Sequence, residues 1–313
     1  MSRNRIDVHQ HIIPPFWADW LKAKGGDPSG WAAPAWSADA AIAMMDKEEI
    51  RAGMLSVTAP GVSVGQGPEI VDMAKRINDW NAGFVSQRPD RFGLFVTLPM
   101  PDVEATLLEV ERAFDELGAD GVTLFTNYGG RYLGDPIFLP VLEELDRRHA
   151  FVFVHPSKPD ASMVNGVPSP VIDYPFDTTR TATSLLFAGV MHRLTNIKIS
   201  LSHAGGMLPF VAHRIAELAP AANISEMTRE ELLQGIRGFY FDTALSSSRQ
   251  AIDSLVAVAN PERIMFGSDF PYAPLRTVSY FTQALDDNLK DQDSLLTKIN
   301  SGNALKLFSR LSS

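Results

Sequence analysis

The chain has 313 residues, and 45% of them are hydrophobic, which is enough to fill one large core. Its formal net charge is −9 and its basic residues are scattered, so the sequence argues against a nucleic-acid-binding protein. It contains no cysteine, which excludes disulfide bonds and metals bound by thiolates.

The N-terminal residues lack the apolar run of a signal peptide, and no stretch approaches the length of a membrane span. The sequence therefore predicts a cytoplasmic protein without a membrane partner. Because the overall charge is negative, an anionic substrate would have to be drawn in by local cations.

Strands and helices are predicted to alternate along the chain. The first strand alternates apolar and polar residues, and a later one is an apolar run typical of a parallel strand buried on both faces. Strands are predicted at 6–11, 54–58, 92–98, 121–125, 151–155, 197–203, 239–243 and 263–269. Helices are predicted at 38–47, 69–87, 103–117, 136–148, 178–193, 208–218 and 248–258.

This order predicts the α/β class, and eight repeats in this length predict a (β/α)8 TIM-type barrel. We expect a single domain over 1–313, with a lid insertion at 12–37 and extra C-terminal helices at 277–313. A doubly wound open sheet would favour a glycine-rich phosphate turn after an early strand. Gly61, Gly65 and Gly67 follow the second strand, but their spacing is not the dinucleotide-binding pattern.

Polar residues occur where four of the predicted strands end. His9 and His11 are two residues apart, so they point to the same side of the first strand. His155, His203 and Asp269 stand at the ends of the fifth, sixth and eighth strands. Each residue alone could belong to a turn or to the surface. In a barrel, however, these strand ends meet on the face where active sites form, so the set predicts one site.

Imidazole and carboxylate ligands suit zinc, with manganese or iron as alternatives. The fourth strand ends in Phe125-Thr126-Asn127 and has no lysine that, once carboxylated, could bridge two metals. The sequence therefore favours a mononuclear site. The remaining histidines lie on predicted helices or helix ends and are interpreted as structural or solvated: His149, His192 and His213.

The motifs around these residues resemble the amidohydrolase superfamily: His9-Gln10-His11, His155, His203-Ala204-Gly205-Gly206 and Gly267-Ser268-Asp269-Phe270-Pro271. Within it, the chain is similar to a branch of metal-dependent, cofactor-free decarboxylases that includes the aminocarboxymuconate-semialdehyde, γ-resorcylate and 6-methylsalicylate enzymes. Three further motifs look most like the 6-methylsalicylate group: 98–102, 126–130 with 133–136, and 177–180.

The resemblance implies a role for each residue. His9, His11, His155 and Asp269 would bind one divalent metal, Zn2+ or alternatively Mn2+, and no organic cofactor is implied. His203 would act beside the metal as an acid or base, and Asp269 would also deliver a proton to the substrate ring. The expected reaction is the non-oxidative release of CO2 from a small aromatic, ortho-hydroxybenzoate-like, or unsaturated carboxylate.

Two other functions could use the same ligands. A metal-bound hydroxide could hydrolyse a lactone or an amide. A metal-binding or assembly protein without turnover is the third interpretation. Release of CO2 distinguishes the decarboxylase from the hydrolase.

Two further features belong to the expected site. The 12–37 insertion contains four of the five tryptophans, and together with the stretch 174–176 it is expected to cover the substrate. Arg214 lies on the helix after the sixth strand, which should pack outside the barrel. In decarboxylases that look similar here, an arginine at this spacing reaches into the site of a neighbouring subunit. The resemblance therefore implies a homodimer in which Arg214 binds the substrate of the other subunit.

Overall fold

The computed structural model describes residues 4–160 and 164–312. Both ends of the predicted 1–313 domain lie outside these ranges, as does the last residue of the predicted 277–313 helical segment. Three residues between the fifth predicted strand and the helix that follows it also lie outside them.

Within the described residues, eight parallel strands pair in chain order and a short antiparallel hairpin extends beyond them. The strands are β1 Arg5–Ile12, β2 Ile50–Val57, β3 Phe92–Thr97, β4 Gly121–Phe125, β5 Asn127–Tyr128, β6 Arg131–Tyr132, β7 Phe151–His155, β8 Lys198–Leu201, β9 Tyr240–Asp242 and β10 Ile264–Met265. Strands β5 and β6 form the hairpin, which the sequence analysis did not predict. The last three strands are shorter than predicted.

Backbone hydrogen bonds between the first strand and the segment after the last strand close the sheet. The amide of Val8 donates to the carbonyl oxygen of Phe266 at 2.9 Å, and the amide of His11 donates to that of Phe270 at 2.8 Å. The amide of Asp269 donates to the carbonyl oxygen of His9 at 2.8 Å. The predicted TIM-type barrel is thus confirmed. The same bonds hold His9 and Asp269 side by side.

The pairing of β1 with its neighbouring strand is irregular around the first histidine. The pairing of β1 with β2 shifts register over residues 7–10. Val8 packs in an inner apolar cluster with Phe153, and the ring of His9 also contacts the ring of Phe153, with centroids 4.8 Å apart. Bulges commonly re-aim side chains beside active sites. Gly267 permits the close approach, since a Cβ there would lie 2.8 Å from the Cβ of His9.

The α-helices separate and flank the strands: α1 Pro15–Ala23, α2 Ala38–Lys47, α3 Pro68–Gln87, α4 Val103–Asp115, α5 Leu139–Arg147, α6 Ser169–Phe187, α7 Val190–Arg193, α8 Leu208–Ala221, α9 Arg229–Gly238, α10 Arg249–Val258, α11 Leu275–Asn288, α12 Asp293–Thr297 and α13 Asn303–Leu307. Helices α1 and α9 were not predicted. Helix α9 begins at a capping box in which Thr228 and Glu231 bond each other's backbone amides. None of the described helices has the length and apolar character needed to cross a membrane.

The helix after β7 begins earlier than the predicted span 178–193. Prolines in a helix interior remove a hydrogen bond and usually break the helix, so no helix is predicted in the proline-rich stretch before 178. Helix α6 nevertheless begins at Ser169 and contains Pro175. The carbonyl oxygen of Pro175 accepts a hydrogen bond from the amide of Met207 at 3.3 Å, so the segment after β8 supports this turn. Gly189, with φ of 70°, then separates α6 from α7.

Candidate active site

The four proposed metal ligands come together at the carboxyl-terminal end of the barrel. His9 and His11 belong to β1, His155 is the last residue of β7, and Asp269 follows β10. One ligand atom from each residue lies within 4.8 Å of the other three, and all four residues are buried.

The distances between these atoms suit a metal ion. The Nε2 atoms of His9 and His11 are 3.1 Å apart, and Asp269 Oδ1 lies 3.3 Å from the first and 3.2 Å from the second. Two ligands placed ~2.1 Å from zinc in tetrahedral geometry would be roughly 3.4 Å apart. Two imidazole nitrogens and a carboxylate oxygen converging in a buried site need a cation between them. The cluster therefore fits a divalent metal.

The outer nitrogens of two rings are held by hydrogen-bond acceptors. His155 Nδ1 lies 2.8 Å from the carbonyl oxygen of Pro156, so it carries the hydrogen. His11 Nδ1 lies 3.1 Å from Ser56 Oγ, and the Ser56 hydroxyl donates to the carbonyl oxygen of Gln10. With Nδ1 protonated, the Nε2 of each ring presents a lone pair to the centre of the cluster.

Asp242, at the end of β9, is a functional residue that the sequence analysis missed. Its Oδ2 accepts a hydrogen bond from His9 Nδ1 at 3.0 Å. Its Oδ1 accepts from the amides of His203 at 3.1 Å and Ala244 at 2.9 Å. This fully buried carboxylate therefore orients one proposed ligand and the turn that bears His203. Like the proposed ligands, Asp242 stands at the end of a barrel strand. That position could have identified it from the sequence.

The charges around the cluster favour a cation at its centre. Burial opposes a charge on His9, but the carboxylates of Asp242 and Asp269 outweigh it and raise the pKa of His9 to about 10. Burial alone would raise the pKa of Asp269, but the neighbouring histidines, His9 first, lower it well below its usual value. Burial lowers the pKa of His155 well below its usual value. A metal therefore competes with a proton for this site.

His203 lies beside the four-residue cluster rather than within it. Its Nε2 is 3.4 Å from Asp269 Oδ2, the carboxylate oxygen that does not face His9 and His11. Its Nδ1 is buried and has no hydrogen-bond partner among the described residues. His203 and Asp269 both adopt left-handed backbone conformations, with φ of 53° and 61°. Such strain costs on the order of 1–3 kcal/mol per residue and clusters at functional sites.

A cavity of about 360 Å³ opens onto the cluster, and its wall includes His155, His203 and Asp269. A cavity of roughly 150 Å³ already holds benzene, so a substituted aromatic ring fits here. The described residues that line it include no lysine or arginine, whereas Asp27 adds a second carboxylate. Aromatic side chains form much of the remaining wall: Trp31, Tyr174, Tyr272 and Phe281.

The 12–37 insertion contributes to this wall, whereas Arg214 does not. Asp27, Ser29 and Trp31 line the cavity. Trp17 is fully buried and its Nε1 donates to a backbone carbonyl oxygen at 2.8 Å, so this tryptophan is structural. Arg214 is exposed on α8, away from the cavity of its own chain.

Comparisons with known proteins identify the family. The amidohydrolase family model matches residues 6–310, and the chain belongs to the amidohydrolase family. The 6-methylsalicylic acid decarboxylase of Penicillium expansum is 39% identical over 316 residues, which cover 98% of this chain and 97% of the relative. A crystal structure of an amidohydrolase II has a TM-score of 0.90 and 31% identity, and the match covers 97% of this chain and 99% of that one.

A second solved structure shares the fold. It is 5-carboxyvanillate decarboxylase from Novosphingobium aromaticivorans, complexed with manganese and 4-hydroxy-3-methoxy-5-nitrobenzoic acid. It has a TM-score of 0.86 and 22% identity, with 97% of this chain and 96% of that chain covered. The superfamily predicted from the sequence is thus confirmed, and the named relatives are decarboxylases of the kinds that the motifs resemble.

The contact between Asp242 and His9 leads to a prediction about metal affinity. Asp242→Asn keeps the shape of the side chain but places an amide NH2 against the protonated Nδ1 of His9 in one of its two orientations. We expect the ligand to be misoriented and the metal affinity to fall about 10- to 100-fold. Competition with a chromogenic chelator measures the dissociation constant. Asp253→Asn, an exposed acid on α10, is the control, and equal affinities in both variants would contradict the assignment.

Proposed function

We propose that the chain is a metal-dependent, non-oxidative decarboxylase of small aromatic carboxylates of the ortho-hydroxybenzoate type. One observation carries the proposal: a buried cluster of three histidines and a carboxylate opens onto a cavity with aromatic walls. The family membership and the decarboxylase relatives support it. A cytoplasmic location stays a prediction from the sequence.

We propose one divalent metal per chain, held by His9, His11, His155 and Asp269. Zinc suits this ligand set, and manganese is the alternative supported by its presence in the structure of 5-carboxyvanillate decarboxylase. When bound, the metal would act as a Lewis acid that orients the carboxylate and phenolic oxygens of the substrate. Organic cofactors have no part in this proposal.

Side chains of this protein would supply the proton that the substrate ring requires. A proton added to the carbon that bears the carboxylate makes a dearomatised ring; the bond to CO2 then breaks, and its electron pair restores the aromatic ring. Asp269 would deliver this proton. Because the pKa of Asp269 is lowered well below its usual value, the proton would reach it from His203 Nε2, 3.4 Å away. The partnerless Nδ1 of His203 would hold the phenolic oxygen.

Aromatic side chains would position the ring and exclude water. The ring of Tyr174 meets that of His155 edge to face, with centroids 6.0 Å apart. The ring of Tyr272 meets that of His11 in the same manner at 5.7 Å. The 12–37 insertion, with Trp31 at the cavity, would serve as the lid over these rings.

Metal analysis followed by a CO2 assay tests the function. We expect about one zinc or manganese ion per chain in the loaded protein, and CO2 release from salicylate or a ring-substituted salicylate. Treatment with a chelator should abolish the release, and added metal should restore it. Hydrolysis of lactones or amides without any CO2 release would overturn the proposal, and two tightly bound metals per chain would overturn the mononuclear site.

The position of His203 beside the cluster separates its role from metal binding. His203→Ala should keep most of the metal, because its ring lies outside the four-ligand set. We expect kcat to fall by roughly two orders of magnitude or more, as for the loss of a general acid or base. His149→Ala, which removes an exposed histidine just after α5, is the matched control. Wild-type turnover in His203→Ala, or loss of its metal, would refute the assignment.

The surface around Arg214 supports a homodimer. Arg214 lies one turn along α8 from Phe210, which is 78% exposed. Helix α6, which contacts α8, adds exposed Val171 and Phe176. A group of exposed apolar side chains marks a surface for protein association. Val171 also lines the cavity, which has no cation of its own among the described residues, so we propose that Arg214 of a second copy supports substrate binding there.

Arg214→Ala should therefore raise KM or lower kcat while the metal content stays unchanged. Guanidinium binds a carboxylate bidentately, so Arg214→Lys should restore only part of the activity. Arg237→Ala, which removes an exposed cation of α9, serves as control. Sedimentation at the assay concentration should show a dimer. Full activity of a monomer at nanomolar concentration would end this proposal.

A further inference from the structure

The cavity contains a second carboxylate for which the proposed mechanism has no use. Asp27 follows α1 and lines the same cavity as Asp269. Its Oδ1 accepts a hydrogen bond from the amide of Ser29 at 2.7 Å, and the side chain of Ser29 also bonds the carboxyl group. Burial raises the pKa of Asp27 above its usual value. A carboxylate has about four lone-pair sites, so these two bonds leave the partly buried group with acceptor capacity for a ligand.

The segment that bears Asp27 is held in place. The carbonyl oxygen of Ser29 accepts a hydrogen bond from the amide of Ser169, at the start of α6, at 3.0 Å. The side chain of Ser29 also bonds the hydroxyl of Tyr174, which lies on α6. Asp27 is therefore a defined part of the cavity wall.

Two tyrosines line the same cavity as Asp27 and Asp269. Burial comes first among the causes that raise the pKa of Tyr174 and of Tyr272, and the charges of Asp27 and Asp269 raise both further. Both hydroxyls are thus within electrostatic reach of both carboxylates and stay protonated. The hydroxyl of Tyr272 is buried and has no hydrogen-bond partner in the described part of the chain. It is an unpaired donor in the cavity that Asp27 also lines.

We infer that Asp27 and the Tyr272 hydroxyl form a specificity site for a ring hydroxyl, on the part of the substrate that does not bind the metal. The inference rests on the proposed function. A hydroxyl both donates and accepts, so it can donate to Asp27 and accept from Tyr272. A hydrogen or methyl at this position leaves both groups unpaired. A second carboxylate accepts from Tyr272 but is repelled by Asp27.

Binding of unreactive ligands tests this site separately from catalysis. Benzoate, 3- and 4-hydroxybenzoate, and the two dicarboxylates isophthalate and terephthalate lack the ortho-hydroxyl that the reaction needs. Calorimetry on the metal-loaded protein gives their dissociation constants. We expect at least one hydroxybenzoate to bind about 10-fold or more tightly than benzoate, as for a hydrogen bond to a charged group. Both dicarboxylates should bind more weakly than benzoate.

Variants then assign the preference to these residues. Asp27→Leu should abolish the gain in affinity that the ring hydroxyl gives over benzoate. Asp27→Asn should raise the affinity for dicarboxylates by about 10-fold. Tyr272→Phe should reduce the gain in affinity from the ring hydroxyl, while dicarboxylates should still bind more weakly than benzoate. Asp19→Asn removes an exposed charge from the same insertion and should change neither. An unchanged hydroxyl preference in Asp27→Leu would overturn the inference.

Two further outcomes separate this inference from the proposed function. If the protein releases CO2 from salicylates but Asp27→Asn weakens all ligands equally and dissociates the dimer, Asp27 is an interface residue and the specificity site is wrong. If the ligand preferences appear as expected but no salicylate, with or without a ring hydroxyl, releases CO2, the specificity site stands and the decarboxylase proposal fails.

Discussion

The arrangement of the site depends on two buried carboxylates that face one imidazole from its two nitrogens. Asp242 lies 3.0 Å from Nδ1 of His9, and Asp269 lies 3.3 Å from Nε2. Burial of two acids in a low-dielectric interior is unfavourable unless positive charge or hydrogen bonds compensate. Asp7 shows the other solution: burial raises its pKa to about 6, and its Oδ2 accepts hydrogen bonds from Ser268 Oγ at 2.6 Å and Gln10 Nε2 at 3.1 Å. Asp269 has mainly histidines around it, so its compensation is a cation.

The hydrogen bonds that close the barrel also assemble the candidate site. The backbone bonds that join β1 to residues 266–270 also place Asp269 against His9. At the register shift in β1, the ring of His9 contacts Phe153, a member of the inner apolar cluster that also contains its neighbour Val8. A substitution that weakens the pairing of β1 with residues 266–270 is therefore expected to reduce metal affinity, even if it changes none of the proposed metal ligands.

The sequence predicted the architecture well because strand ends of a parallel barrel obey one geometric rule. His155 and Asp269 could be placed on the same face without any knowledge of the contacts between them. Asp242 obeyed the same rule and was missed, since an acid that orients a ligand has the same sequence pattern as an ordinary strand-end acid. The predicted start of α6 was wrong because Pro175 does not break the helix. Its carbonyl oxygen is bonded by the nearby Thr179 hydroxyl and by the amide of the distant Met207, and a local pattern does not contain the second contact.

Charge balance at the metal gives the proposed roles of His203 and Asp269 their physical reason. A divalent ion would balance the carboxylates of Asp242 and Asp269, so the carboxylate of one substrate already makes the buried centre negative. A phenolate there would add a second negative charge, which is unfavourable in a low dielectric. This cost is avoided if the phenolic proton stays on His203, whose Nε2 is 3.4 Å from Asp269. His203 would then take the phenolic proton at Nδ1 while its Nε2 gives a proton to Asp269 for the ring carbon, and solvent need only return a proton to the product after CO2 has gone.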